Sequence, residues 1–276
     1  MRYALTLAAI LSVTSAIAQS LSNDQIRDML RQVAAKDMEN DKKQRDYTYT
    51  EREVENHLDG KGRISSTESK TFDVMELYGE QVRRLVAKDG HPLSGDDARK
   101  EEEKIQKRVD KRKNESENDR AKRREREEKD REKDRKFVSE VADAYDFRLV
   151  GIESPAGRET YVIDAEPRPG FHAQLAEAKI LPKFRFRAWI DKQELEWKKL
   201  DIQCIDTVSF GLFIARLHKD SRILIEQTRV NDEVWLPQHI SAKVDARIAL
   251  VKGFNIQADV TFSDYKKFSA DTKLLQ

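Results

Sequence analysis

The sequence predicts an α+β fold, mainly antiparallel β: a curved sheet of about ten strands, helices at two interruptions, and a long charged helical insertion. Three observations predict it. Between residues 184 and 262 apolar side chains recur at every second position, broken by two- and three-residue polar turns, as half-buried strands require. Two alternating stretches upstream, 46–54 and 63–75, flank the turn Asp59-Gly60-Lys61-Gly62 and read as a hairpin of the same sheet. Residues 96–136 abandon that pattern: most side chains are charged and neither Gly nor Pro occurs.

Taken in order, the chain opens on a segment of another kind. Met1-Arg2 is basic, residues 3–13 are apolar and uncharged, and Ala16-Ile17-Ala18 is a small-x-small site before Gln19. This pattern reads as a signal peptide over residues 1–18, cut between Ala18 and Gln19. The apolar run is too short to span a bilayer, which takes about 20 residues. Residues 19–276 then read as a single exported domain, interrupted by the charged helical insertion at about 95–145.

Leu21-Ser22-Asn23-Asp24-Gln25-Ile26 starts a helix, with Ser22 as N-cap, Gln25 closing a capping box, and Leu21 placed to staple onto Ile26. Ile26, Met29, Leu30 and Val33 follow at helical spacing and give it one apolar face. After the hairpin, 81–87 makes a third strand, ended where Gly90 and Pro92 stop the ladder. Residues 96–136 favour a solvated helix laced by i,i+4 pairs such as Glu125 with Lys129, with almost no face to bury. An apolar stripe returns at Phe137, Val138, Val141, Ala142 and Tyr145 and docks the excursion back on the body. Strands follow at 147–153 and 159–166, then a short helix near 172–180. Further strands are expected at 184–191, 195–205, 208–217, 222–230, 234–244 and 254–265, with a turn at Asn231-Asp232.

Charge and motifs exclude several functions. There are 52 basic and 51 acidic side chains, so no net field favours nucleic acid or an anionic membrane. The histidines His57, His91, His172, His218 and His239 are scattered without metal-ligand spacing, and neither a nucleophile elbow nor a phosphate-binding loop occurs. Neither a metal nor a cofactor is expected, and no enzyme. Cys204 is the one cysteine; it alternates with Ile202 and Leu200 and reads as a small core residue. What remains is a surplus of large apolar residues on neighbouring strands: Phe184, Phe186, Trp189, Ile190, Trp197, Phe210, Leu212, Phe213, Ile223, Ile225, Trp235, Phe254 and Ile256. Some serve as core; together they are candidates to line a cavity for an acyl chain or apolar peptide on the inner face of the sheet.

Trp189-Ile190-Asp191-Lys192 with the following strand LEWKKLDI, Asn231-Asp232-Glu233-Val234-Trp235-Leu236-Pro237, and Thr261-Phe262-Ser263-Asp264-Tyr265 resemble strand signatures of the LolA-like superfamily, the periplasmic outer-membrane lipoprotein-sorting proteins. A more distant resemblance is to lipid-sensing domains of the RseB type. The resemblance covers most of the chain after the signal segment, except the charged insertion, which those carriers lack. It implies a half-open antiparallel barrel wrapped around helices, with an apolar cavity that shields lipid acyl chains. The carriers keep a functional arginine on an early strand; Arg52, Arg83 and Arg84 stand on such strands here, and none is assigned that role. The expected function is a non-enzymatic periplasmic carrier of lipid or lipoprotein acyl chains. The alternative is an envelope interaction or sensor protein that uses the charged arm to contact a protein partner.

Overall fold

The computed structural model describes residues 21–78, 80–210, 215–248 and 252–268. The signal segment, its cleavage point at Ala18 and Gln19, and the candidates Leu212 and Phe213 lie outside those residues.

The described residues form one sheet of thirteen strands. In chain order they are β1 (Tyr47–Leu58), β2 (Ile64–Leu77), β3 (Glu80–Lys88), β4 (His91–Pro92), β5 (Tyr145–Glu153), β6 (Thr160–Pro167), β7 (Phe184–Asp191), β8 (Trp197–Cys204), β9 (Val208–Phe210), β10 (Ala215–Leu217), β11 (Arg222–Val230), β12 (Val234–Ile248) and β13 (Lys252–Lys267). The spatial order is β4-β3-β2-β1-β13-β12-β11-β8-β7-β6-β5, with β9 and β10 set against β12. All pairings are antiparallel, and the sheet is open, with β4 and β5 at its two ends. Three α-helices accompany it: α1 (Asn23–Gln44), α2 (Gly95–Lys113) and α3 (Glu117–Ala144).

Three expectations are corrected, and the form of the charged excursion, which the sequence leaves open, is given. The single strand at 208–217 is two short strands folded on each other, Ala215 opposite Phe210 and Leu217 opposite Val208. Gly90 does not end the ladder: Asp89 and Gly90 both take positive φ, 50° and 78°, the backbone of a tight hairpin turn, and β4 adds a short rung on β3. The helix near 172–180 is a 3-10 turn over Glu177–Lys183, where Pro182 lacks the N–H that a longer helix would use. The charged excursion is two helices, because Ser116 accepts from the Asp119 N–H and starts α3 afresh.

Glu115 lies at that break and receives Arg123 through both oxygens, with Arg112 3.7 Å away. α2 is anchored through buried Ile105 and through Glu101, which accepts the Leu85 N–H of β3 at 3.2 Å. In α3 only Ala142 and Ala144, at its end, are buried. The capping box on α1 forms as expected: the Gln25 N–H donates to Ser22 Oγ at 3.2 Å and the Ser22 N–H to Gln25 Oε1 at 2.8 Å.

The register separates the two faces of the sheet. One cross-strand row reads Phe147, Ala165, Phe186, Ile202, Ile223 from β5 to β11; its neighbour reads Arg148, Asp164, Arg187, Asp201. The first row faces α1 and the end of α3, where Ile26, Met29 and Val33 pack on Tyr145, Phe147, Ile163 and Ala188 in the main core. The second faces outward as an ion ladder: Asp164 accepts from Arg148 at 2.7 Å and from Arg187 at 2.5 Å. Directly opposed opposite charges of this kind stabilise a sheet modestly and set its register.

The outer row Trp189, Lys199, Glu226, His239 contains a titrating group. His239 Nε2 lies 2.8 Å from Asp259 and Nδ1 lies 3.1 Å from Glu226. Asp259, then Glu226, raise its pKa against the effect of burial. A raised folded-state pKa gives stability that is fully present below the unfolded value of about 6.5 and is lost as pH rises through the folded value. His239→Gln is therefore expected to lower the urea midpoint at pH 6 and leave it unchanged at pH 9, by less than about 1 kcal/mol because the partners are half exposed. An equal shift at both pH values would contradict the charged pairing.

Candidate functional site

The inner face of β7 is set by strict alternation: Phe184, Phe186, Ala188 and Ile190 point toward the helices while Arg185, Arg187 and Trp189 point away. On β8, Trp197 and Leu200 are three residues apart and should face opposite sides. A β-bulge removes the conflict. Trp189 pairs with Lys199 but Ile190 pairs with Trp197, so Lys198 is the extra residue and Trp197 joins Leu200 and Ile202 on the inner face.

α1 runs across the inner face from β5 to β12 without filling the space over β7, β8 and β11. In that space lies a groove of about 490 Å³, within the range of about 300–1,000 Å³ for small-molecule sites. Its sheet wall is Phe184, Phe186, Ala188, Ile190, Trp197, Leu200, Ile202 and Ile223; its helical wall is Leu30, Val33 and Ala34 of α1 and Phe137, Val138 and Val141 of α3; Ile180 and Leu181 complete it. Tyr145 spends its hydroxyl on the Leu181 carbonyl at 2.8 Å, and burial raises its pKa well above the usual tyrosine value. Asp37 is the only carboxylate among the described residues of the lining. Trp197 Nε1 donates to its Oδ1 at 2.8 Å, and burial nonetheless holds its pKa above the usual carboxylate range, with Asp41 adding to the rise.

Of the sequence candidates, the structure brings Phe184, Phe186, Ile190, Trp197 and Ile223 together in this lining. Ile225 and Ile256 share the inner face by register, through Leu200 and Ile240 and through Val244 respectively, but lie beyond the groove. Trp189 stands on the outer face, its Nε1 donating to Glu153 and its ring 5.2 Å from the Lys199 ammonium. Trp235 is buried outside the groove and donates from Nε1 to Glu194 at 2.7 Å. Phe210 and Phe254 lie on β9 and β13, and their side chains fall outside the described ones.

Sequence reasoning missed the helical wall as a wall. The stripes of α1 and α3 were legible, but as packing surfaces only. The early arginines are engaged elsewhere: Arg83 binds Glu51 and Glu53, Arg84 binds Asp73, and Arg52 is exposed; none lines the groove. Cys204 is fully buried with its pKa raised by that burial, as a core residue would be. Among the described residues no group of three or more His, Cys, Asp or Glu is placed to hold a metal ion. Nor is any helix of the described residues long and apolar enough to cross a membrane.

No protein-family model and no curated protein matches the chain. Solved structures similar to it include one described as an outer membrane lipoprotein-sorting protein domain from Vibrio parahaemolyticus, 10% identical, covering 87% of this chain and 94% of that one with a TM-score of 0.35. A LolA superfamily protein from Nitrosomonas europaea is 9% identical over 93% of this chain and 98% of its own, TM-score 0.32. A DUF1329 family protein from Desulfovibrio piger is 12% identical over 88% and 93%, TM-score 0.30. The half-open antiparallel architecture that the sequence resemblance implied is read directly from the strand order.

Proposed function

We propose that this chain is a non-enzymatic periplasmic binding protein that carries an acyl chain, free or borne by a lipoprotein, in the groove between α1, α3 and the inner face of β7, β8 and β11. The observation that carries the reading is the groove itself: an open apolar channel walled by two helices and three strands, with Asp37 the only carboxylate among its described residues. Burial of each methylene there contributes about 0.8 kcal/mol, so a chain of modest length holds without any charged clamp. The signal pattern of residues 1–18 supports export, and with it the periplasmic placement.

The arm formed by α2 and α3 supports the partner-docking alternative less well. Its charges largely pair within the arm, as in Lys129 with Glu125, Arg131 with Glu128 and Lys136 with Glu132. That leaves a solvated surface of mixed sign.

The test is to purify the protein from its native envelope, extract it with solvent, and identify bound lipid by mass spectrometry. Ile223→Trp, which fills the groove from the β11 side, is expected to retain the fold and lose the lipid. An acyl ligand at a hundred times its Kd should raise wild-type stability by about 2.7 kcal/mol and leave Ile223→Trp unmoved. A protein that carries no lipid and shows no stability change with fatty acids, fatty alcohols or lipopeptides would sink the carrier reading.

A further inference from the structure

The groove is apolar except at Asp37. A second, polar pocket of about 560 Å³ is lined by the end of α1, the β7–β8 turn and the β11–β12 turn. Glu196 lines this second pocket, one residue before the Trp197 that binds Asp37, and is close enough to Asp37 to feel its charge. It is only 6% exposed, and its Oε2 is buried without a hydrogen-bond partner. An unpaired buried carboxylate oxygen costs free energy that a donor would recover.

The donors around it are committed elsewhere. Arg158 and Arg229 both bind Glu194, at 3.0 Å and 3.1 Å. Lys43 donates to the Glu233 carbonyl at 3.3 Å, and Lys36, 3.9 Å from Glu39, reaches Glu196 as Lys43 does, only through its charge. Burial, then repulsion from Asp37, pushes the Glu196 carboxyl up to about 7. Burial raises the pKa of both carboxyls, so a cation beside them would favour their charged forms.

Building on the acyl-chain reading, we propose that Asp37 and Glu196 form a headgroup site for an organic ammonium, so that the preferred occupant is a single-chain amphiphile with an amine head. The chain lies in the groove and the amine meets the two carboxylates where the apolar lining ends. A carboxylate or phosphate head would face two acids there. A metal ion is the poorer candidate, because a third ligand of metal-binding type is lacking among the described residues.

The experiment compares dodecylamine, dodecanol and dodecanoic acid, each below its micelle concentration, by calorimetric titration of the full chain and of Glu196→Gln and Asp37→Asn. The amine is expected to bind about tenfold to a hundredfold more tightly than the alcohol, as a charge-assisted hydrogen bond implies, and the acid most weakly. Glu196→Gln should cut amine affinity about tenfold and leave dodecanol affinity unchanged. Equal binding of all three heads, or an amine preference that survives both substitutions, overturns the headgroup site while leaving the groove reading intact. Failure of every probe to bind overturns the groove reading, and the headgroup site with it.

Discussion

Arg158→Ala is expected to lower the free energy of unfolding by about 3–5 kcal/mol, the range for stripping one partner from a buried ion pair. Asp191, the last residue of β7, has no exposed side-chain surface. Arg158 grips it with two bonds, Nε to Oδ2 at 2.7 Å and Nη2 to Oδ1 at 2.9 Å, and the N–H groups of Gln193 and Glu194 donate to Oδ1 at 3.0 Å each. Burial works against the charge on Asp191, yet Arg158 and the two turn N–H groups outweigh it and hold the pKa below the usual carboxylate range. With Arg158 gone, the same burial acts unopposed by a cation.

The pH dependence follows with a definite sign. A depressed folded-state pKa gives stability that is present above the unfolded value of about 3.9 and is lost as pH falls through the folded value. In Arg158→Ala the Asp191 pKa should rise instead, so the variant loses least in acid, where the carboxyl is neutral. Urea denaturation of both proteins between pH 7 and pH 3 should show the gap between them narrowing as pH falls. A constant gap would mean that Arg158 acts by packing and not by its charge.

Much of this architecture was legible because side-chain period and turn chemistry are local. β7 and β11 begin and end where alternation does, and Asn231 and Asp232 turn the chain with left-handed φ as their residue types allow. What was illegible depends on register. The bulge at Lys198 puts Trp197 on the same face as Leu200, against simple alternation, and only the partner strand reveals it. Trp189 and Ile190 are adjacent large residues; β7 alternation gives one to each face, but nothing in the residues themselves says which face a helix covers. Ser116 is one serine in a charged run, and its capping of α3 depends on the turn before it. The groove was half visible for the same reason: its sheet wall follows from alternation, while its helical wall exists only because α1 and α3 are held at a particular height above the strands.

That height is set at Asn40, and Asn40→Leu is expected to destabilise the protein by about 2–4 kcal/mol. β12 pairs with β13 only from His239 onward, so the backbone of Trp235 has no strand on that side. Asn40, 4% exposed, stands in for one: its Nδ2 donates to the Trp235 carbonyl at 2.7 Å and its Oδ1 accepts the Trp235 N–H at 2.8 Å. Gln44 also donates to that carbonyl, at 3.1 Å, so leucine orphans the N–H completely and the carbonyl only in part. Asn40→Asp separates the two contributions, because it keeps the acceptor and loses the donor until it is protonated. A buried aspartate has a raised folded-state pKa, whose stability is present below the unfolded value and lost as pH rises, so Asn40→Asp should recover toward wild type on acidification while Asn40→Leu does not. The other end of α1 is tied by Arg27, which donates to the Ala142 carbonyl at 3.2 Å and the Tyr145 carbonyl at 3.4 Å. Leu30, Val33, Ala34 and Asp37 lie between these two ties, which makes α1 a wall pinned at both ends. Releasing one end with Asn40→Leu should raise hydrogen exchange along the last turns of α1 and weaken acyl-chain binding, although Asn40 is absent from the groove lining. A variant that loses stability but binds dodecanol as tightly as wild type would show instead that the groove is held by the sheet and α3 alone.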